Sequence, residues 1–285
     1  MKGNIEPVRL EDPSGSFLKT GDHSIMTKTA LITGASTGIG YALSKCFAAD
    51  HHNLVLVARQ EQKLRQVAEE LQGQFDVSVK VLVADLARPE SPQKIAEEIR
   101  RESLRIDYLV NNAGFGLGGK FAETDLTVEL EMMQVNMVAL VHLTKLFLPE
   151  MLAHGAGKIL NVASTAAFQP GPLMAVYYAT KAFVLSFTEA IANELSGTGV
   201  TVTALCPGPT RSEFQQRAHI QNTRLVKAKP LGFMSAEAVA RIGYRGFMQG
   251  KRLVIPGLMN TIGVQSLRLA PRRVVTQVVR RLQES

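Results

Sequence analysis

A phenol and an amine stand four residues apart in the run Tyr177-Tyr178-Ala179-Thr180-Lys181. On a helix, Tyr177 and Lys181 share one face about one turn, roughly 6 Å, apart along the axis. A phenol with an ordinary pKa near ~10 is a poor base at neutral pH, and a neighbouring ammonium favours its ionised form. Tyr178 has Ala182 four residues on, so Tyr177 alone has the lysine partner. Taken alone, such a pair also describes ordinary packing with a snorkelling amine. Ser164 lies upstream at the end of an apolar run. Its hydroxyl can steady a reacting carbonyl oxygen, or simply cap a loop. Asn136 sits inside the apolar run Met132 to Leu140, where a buried amide needs partners.

A second group of residues could hold a phosphate. Gly34, Ser36, Thr37, Gly38, Ile39 and Gly40 belong to the turn Thr33-Gly34-Ala35-Ser36-Thr37-Gly38-Ile39-Gly40, which follows a β-branched run and leads into a helical pattern. Glycines let a backbone turn tightly and approach a pyrophosphate, while a helix N-terminus offers free N–H groups and a positive dipole end. Glycine-rich turns also serve merely to pack a helix on a strand.

The elements that must position these residues alternate. Thr29 to Thr33, Asn53 to Ala58, Val77 to Ala84, Ile106 to Asn111, Lys158 to Ala163, Val200 to Cys206 and Arg252 to Ile255 read as seven strands. Between them, Gly40 to His51, Glu61 to Leu71, Thr127 to Leu152, Ala175 to Leu195 and Ser235 to Gln249 have helical spacing. This alternation predicts one α/β domain, a Rossmann-type doubly wound parallel sheet with helices on both faces and ligands at the strands' carboxyl ends.

The glycine spacing and four further motifs, in order along the chain, resemble the short-chain dehydrogenase/reductase family. Asp85 and Leu86 end the third strand, where the family contacts adenine. Asn111-Asn112-Ala113-Gly114 ends the fourth, Tyr177-x-x-x-Lys181 follows the fifth, and Pro207-Gly208-Pro209-Thr210 follows the sixth. The resemblance covers Thr29 to about Pro256. It implies hydride exchange between a nicotinamide cofactor and a carbonyl or alcohol. Tyr177 would be the acid/base, Lys181 its partner and ribose ligand, Ser164 the carbonyl-orienting hydroxyl and Asn136 the holder of a relay water. The cofactor would lie on Gly34 to Gly40, Asp85, Leu86, Asn112, Ala113, Gly114, Tyr177, Lys181, Pro207, Gly208 and Thr210.

Cofactor preference is read from the end of the second strand, Val57-Ala58-Arg59. Ala58 offers no carboxylate for ribose hydroxyls, and Arg59 can pair a 2′-phosphate, so NADP(H) is expected over NAD(H). Phe115 to Gly119, Phe168 to Met174 and the segment after Thr210, including Phe214, are expected to frame a pocket for a hydrophobic ketone, aldehyde or alcohol. A 3-oxoacyl thioester reductase is the enzymatic alternative, and a non-catalytic NADP(H) sensor the alternative from another class.

The 285 residues carry a formal charge of +7. From Lys251 to Ser285 there are seven Lys/Arg against one Glu, so the surplus is concentrated near the C-terminus. A basic amphipathic helix is expected over about 271–283, with Val274, Val275, Val278, Val279 and Leu282 as its apolar stripe. The preferred reading packs it on the same domain or a neighbouring subunit. Docking on an anionic lipid surface or an acidic acyl carrier is the alternative. Aromatic residues do not interleave with these charges, which argues against nucleic acid. The six histidines and two cysteines show no metal-ligand spacing. Residues 1–26 read as a flexible leader, with Met26 a potential start, before a domain over 27–285. A cytoplasmic homo-dimer or homo-tetramer is expected.

Overall fold

The computed structural model describes residues 27–211, 213–227 and 233–284, and the expected leader lies outside them. Seven parallel strands form one sheet: β1 (Thr29–Thr33), β2 (Asn53–Ala58), β3 (Val79–Val83), β4 (Tyr108–Asn111), β5 (Gly157–Val162), β6 (Val200–Leu205) and, after a two-strand pair, β9 (Leu253–Val254). The pair is β7 (Thr210–Arg211) with β8 (Met234–Ser235). The sheet order is β3-β2-β1-β4-β5-β6-β9. Strand order therefore reverses between β1 and β4, and a crevice opens where their carboxyl ends part.

Strands covered on both faces must be apolar throughout, and in β2 every residue from Leu54 to Ala58 is buried. Alternate side chains feed two cores. Ala30, Ile32, Leu54 and Leu56 pack under helices α1 (Gly38–Ala49), α2 (Glu61–Gln74) and α9 (Ala236–Met248). Leu31, Val55, Val57 and Leu109 face α3 (Ser91–Arg101), α5 (Ala139–Ala153) and α6 (Ala175–Glu194). The two-residue period of a strand thus distributes one β-branched run between both layers.

The long helical pattern expected over Thr127 to Leu152 is realised as α4 (Leu126–Met133) and α5, joined by one π-turn at Gln134–Val138. By length and composition alone this run of 28 residues is apolar enough to cross a bilayer. Here Leu143, Phe147 and Met151 bury it against the sheet. Two short helices, α7 (Phe214–Arg217) and α8 (Arg224–Lys227), follow β7. The chain closes with α10 (Leu258–Ser266) and α11 (Arg272–Gln283), the latter matching the expected basic helix.

Candidate active site

At the crevice the backbone does most of the shaping. Gly34 takes φ +65°, and a Cβ there would stand 2.8 Å from Asn112 Nδ2. A Cβ on Gly40 would stand 2.2 Å from the Gly34 carbonyl oxygen, so only glycine lets α1 start this close to β1. Asn112 Nδ2 donates to the carbonyls of Thr33 (2.8 Å) and Gly34 (3.2 Å). Thr33 Oγ1 accepts from the amides of Asn112 and Ala113, both at 3.0 Å, and donates to Val110 O at 3.2 Å. The turns after β1 and β4 are therefore locked into one unit. Thr37, at the N-cap of α1, makes no side-chain capping bond. The first amides of α1 are left for an anion, in a cradle that any Cβ would fill, and these residues fit a dinucleotide pyrophosphate.

Arg59 follows β2 with its side chain 59% exposed, its Nη1 3.9 Å from Asp85 Oδ1. Asp85 also accepts from Ala87 N at 3.1 Å, so its carboxylate orders the turn after β3 as well as meeting Arg59. At such exposure the ion pair contributes little to stability and leaves Arg59 able to exchange partners.

Beyond the crevice, α6 places Tyr177 and Lys181 on its buried face, 9% and 5% exposed. Lys181 Nζ donates to Val162 O at 2.9 Å and lies 5.9 Å from the centre of the Tyr177 ring. Burial pushes the amine down to about 8. Burial also drives the Tyr177 phenol well above its ordinary value, with the Ser164 side chain pulling part of the way back. This differs from the sequence expectation that Lys181 would lower the phenol. The ammonium is anchored on the Val162 carbonyl and is itself weakened by burial, so desolvation dominates at Tyr177. The phenol is then neutral but a weaker acid than a free tyrosine, able to give its proton only to a strongly basic oxygen such as an alkoxide. Ser164 caps the turn Thr165–Phe168 by accepting from Ala166 N at 3.1 Å, so the capping and site readings of this residue both hold geometrically.

Of the residues singled out for chemistry or cofactor, all but Gly40 and Asn136 line one continuous cavity of about 710 Å³, running from the glycine turn past Arg59 and Asp85 to Ser164, Tyr177, Lys181 and Thr210. Gly40 acts through packing, as above. Asn136, in the π-turn, is 1% exposed. Its Oδ1 accepts from Phe115 N at 3.1 Å, and its Nδ2 donates to Phe115 O and Thr180 Oγ1, each at 3.0 Å. Thr180 Oγ1 in turn donates to Tyr177 O at 2.7 Å. Asn136 thus ties the loop after β4 to the helix that carries Tyr177 and Lys181. A π-turn in a core helix is a frequent mark of a functional position, and here it turns one amide inward.

Phe115, Gln169, Met174 and Phe214 line the cavity as expected, but Gly116, Leu117, Gly118, Gly119, Phe168 and residues 170–173 do not. Gly118 and Gly119 are spent on backbone bonds to Ala218 O and Leu173 O. The segment after Thr210 contributes Ile220, Leu225, Val226 and Phe233 as well, and sequence reasoning missed Tyr178, Val279, Leu282 and Gln283 as parts of the wall. For α11 the valine stripe was the available signal. It did not say which half of the stripe turns inward: Val275 and Val279 are buried against Tyr177 and Tyr178, while Val274 and Val278 stay about half exposed.

The family model for the short chain dehydrogenases matches residues 28–223. The chain belongs to this family. This short-chain dehydrogenase is 38% identical over 191 residues to sulfoacetaldehyde reductase 2 of Chromohalobacter salexigens, covering 66% of this chain and 75% of that one. It is 34% identical over 189 residues to a short chain dehydrogenase of Pseudocercospora fijiensis, covering 66% of this chain and 61% of that relative's length. Among solved structures, a short-chain dehydrogenase from Sphingobium yanoikuyae in complex with NADPH superposes with a TM-score of 0.76 at 33% identity, over 87% of this chain and 94% of that one. One from Burkholderia phymatum in complex with NAD gives 0.76 at 25% identity, over 84% and 92%. The protein is thus an oxidoreductase on the doubly wound sheet that the sequence anticipated, and its fold is one that binds a nicotinamide cofactor.

Proposed function

We propose that this short-chain dehydrogenase is an NADP(H)-dependent carbonyl reductase or alcohol dehydrogenase acting on a hydrophobic ketone, aldehyde or the corresponding alcohol. The observation that carries the reading is the single cavity that joins the glycine cradle to Ser164, Tyr177 and Lys181. A nicotinamide cofactor bound there supplies or accepts the hydride. Gly34, Ser36, Thr37, Gly38 and Ile39 would hold its pyrophosphate, Asp85 and Leu86 its adenine end, and Asn112, Ala113 and Gly114 its middle. Lys181 would hold ribose hydroxyls, and Pro207, Gly208 and Thr210 the carboxamide side.

In the reductive direction Ser164 orients the carbonyl oxygen and Tyr177, held neutral by burial, delivers the proton to it. Asn136 keeps α6 in register with the loop after β4, and so holds Tyr177 and Lys181 in place. Arg59 supports the phosphorylated cofactor, because Ala58 supplies no carboxylate and Arg59 can leave Asp85 for a 2′-phosphate. The apolar substrate end, with Phe115, Met174, Phe214 and Ile220, supports a hydrophobic substrate. The exposed apolar side chains Leu130 on α4, Val138 in the π-turn and Phe183 on α6 support self-association.

The reading is tested by following NADPH oxidation over a panel of ketones, aldehydes and 3-oxoacyl thioesters, with Tyr177→Phe as control. Turnover of free ketones or aldehydes that disappears in Tyr177→Phe supports it. Turnover confined to thioesters replaces it with acyl-thioester reduction, and tight NADPH binding without turnover of any class replaces it with a sensor.

A further inference from the structure

Helices α10 and α11 present two different faces. Inward, Val264 of α10 is buried, and Leu267 and Ala270 of the connection pack on the cluster that holds Met174, Tyr177 and Tyr178. Val275 and Val279 of α11 belong to the same cluster. A backbone bond of 2.8 Å from Arg224 N to Glu284 O and one of 2.9 Å from Gln283 Nε2 to the Tyr178 hydroxyl fix the end of α11. The domain itself thus covers one half of the valine stripe.

Outward, the same segment leaves apolar side chains in solvent. Leu258, Met259 and Ile262 are exposed on α10, Leu258 at 75%, and Leu269 in the connection is 90% exposed. Val274 and Val278 stay open on α11. One exposed leucine is ordinary, whereas apolar side chains gathered on two consecutive helices mark a surface that meets something apolar.

Charge identifies what that is. From Pro256 to Gln283 the chain has five arginines and no acidic residue. Among the described residues only Arg280 of the five is ion-paired, with Glu284. Arg268, Arg272 and Arg273 flank Leu269 in the sequence. At about 3.6 residues per turn, Arg281 falls beside Val274 and Val278, on the side of α11 away from the buried valines. A second copy brought up by two-fold symmetry would set arginines against arginines. An acidic protein surface would meet the arginines but leave the leucines without apolar partners. A bilayer with anionic headgroups accommodates both, because phosphates pair with guanidinium groups and the acyl boundary takes the aliphatic side chains.

We propose that the outward face of α10 and α11 docks this protein on a membrane that carries anionic lipids. Leu258, Ile262 and Leu269 enter the acyl boundary, and Arg268, Arg272, Arg273 and Arg281 meet the headgroups. The helices lie on the bilayer, held to the domain by their inward face.

The test is co-sedimentation of the full-length protein with vesicles of phosphatidylcholine alone and of phosphatidylcholine mixed with phosphatidylglycerol. The wild type should bind the mixed vesicles and not the neutral ones, and salt should weaken the binding. Each arginine near an anionic surface contributes about fivefold in affinity, so Arg268→Gln, Arg272→Gln and Arg273→Gln together should weaken binding about a hundredfold at low salt. Leu258→Ser, Ile262→Ser and Leu269→Ser together should weaken it about tenfold or more at the same salt. All of these positions lie outside the cavity wall and on the exposed surface, so circular dichroism should be unchanged in both variants. A wild type that stays in the supernatant with the mixed vesicles, or binding that either triple variant leaves unchanged, overturns the proposal. So does a doubled sedimenting mass without vesicle binding that is lost in the serine variant, which makes the face a contact between copies. Binding to poly-glutamate but not to vesicles assigns the face to an acidic protein and overturns it too.

Discussion

At the glycine-turn end of the cavity, close approach of main chain shapes the wall; at the far end, packed side chains from distant elements do. Gly34 and Gly40 bring main chain within a distance no Cβ permits, and Thr33 and Asn112 fasten two loop turns to each other. The other end is assembled from Met174, Tyr178, Phe214 and Ile220 and from α11, elements remote in sequence that meet through apolar contact. Backbone geometry allows few substitutions, and those glycines are legible as a motif. Side-chain packing allows many, and its residues are visible only once the chain is folded. Chemistry is thereby fixed at one end while substrate choice is left to vary at the other.

The largest effect should come where the two ends meet. Tyr177→Phe removes the proton donor while leaving the cradle intact, so kcat should fall by about a thousandfold with the NADPH Kd nearly unchanged. An equal loss in affinity would mean that the tyrosine belongs to the cofactor end alone. Gly40→Val drives a side chain into the Gly34 carbonyl, and should weaken NADPH binding by about a hundredfold or prevent folding. Calorimetry together with circular dichroism separates the two outcomes.

Arg59→Asp should change the ratio of kcat/KM for NADPH over NADH by about tenfold or more, toward NADH, by exchanging a phosphate-pairing cation for a carboxylate. An unchanged ratio would take Arg59 out of the cofactor end. Removing residues 271–285 should raise KM for an apolar ketone by about tenfold while the NADPH Kd holds, because α11 touches only the substrate side.

The smallest effect concerns stability. The Lys181 amine is depressed to about 8 from 10.5. Between those values the unfolded chain binds more protons, so stability of the unliganded protein should rise with pH across that window, and its cost is fully present below about pH 8. Urea midpoints measured across that range should show the rise in the wild type and a flatter profile in Lys181→Met.

All seven sheet strands, and helices on both of its faces, were readable from the sequence, because parallel strands buried on both faces must be continuous apolar runs and the helices between them must be amphipathic. Strand ends moved inward at Val77 and Ile106, where β3 and β4 begin two residues later, since the register with the neighbouring strand decides where pairing starts. The residues singled out for the cofactor line the cavity with the exception of Gly40, whose lack of a Cβ serves the close packing of α1 on β1, and Thr33, the clamp between the two turns, was overlooked. The π-turn around Asn136 was not legible: one extra residue in a helical turn leaves the apolar pattern almost unchanged. Nor was the inward face of α11, because Val274 and Val275 are equally apolar and tertiary packing chooses between them.

The central claim is that one cavity joins the glycine cradle to the Tyr177 acid for hydride transfer to a carbonyl carbon. Turnover of a ketone with NADPH deuterated at the transferable position of the nicotinamide tests it most directly, with mass spectrometry and NMR of the alcohol formed. Deuterium bonded to the carbinol carbon, one atom per turnover and absent with Tyr177→Phe, is the predicted result. Alcohol formed without deuterium at that carbon, or formed equally well by Tyr177→Phe, would contradict the account.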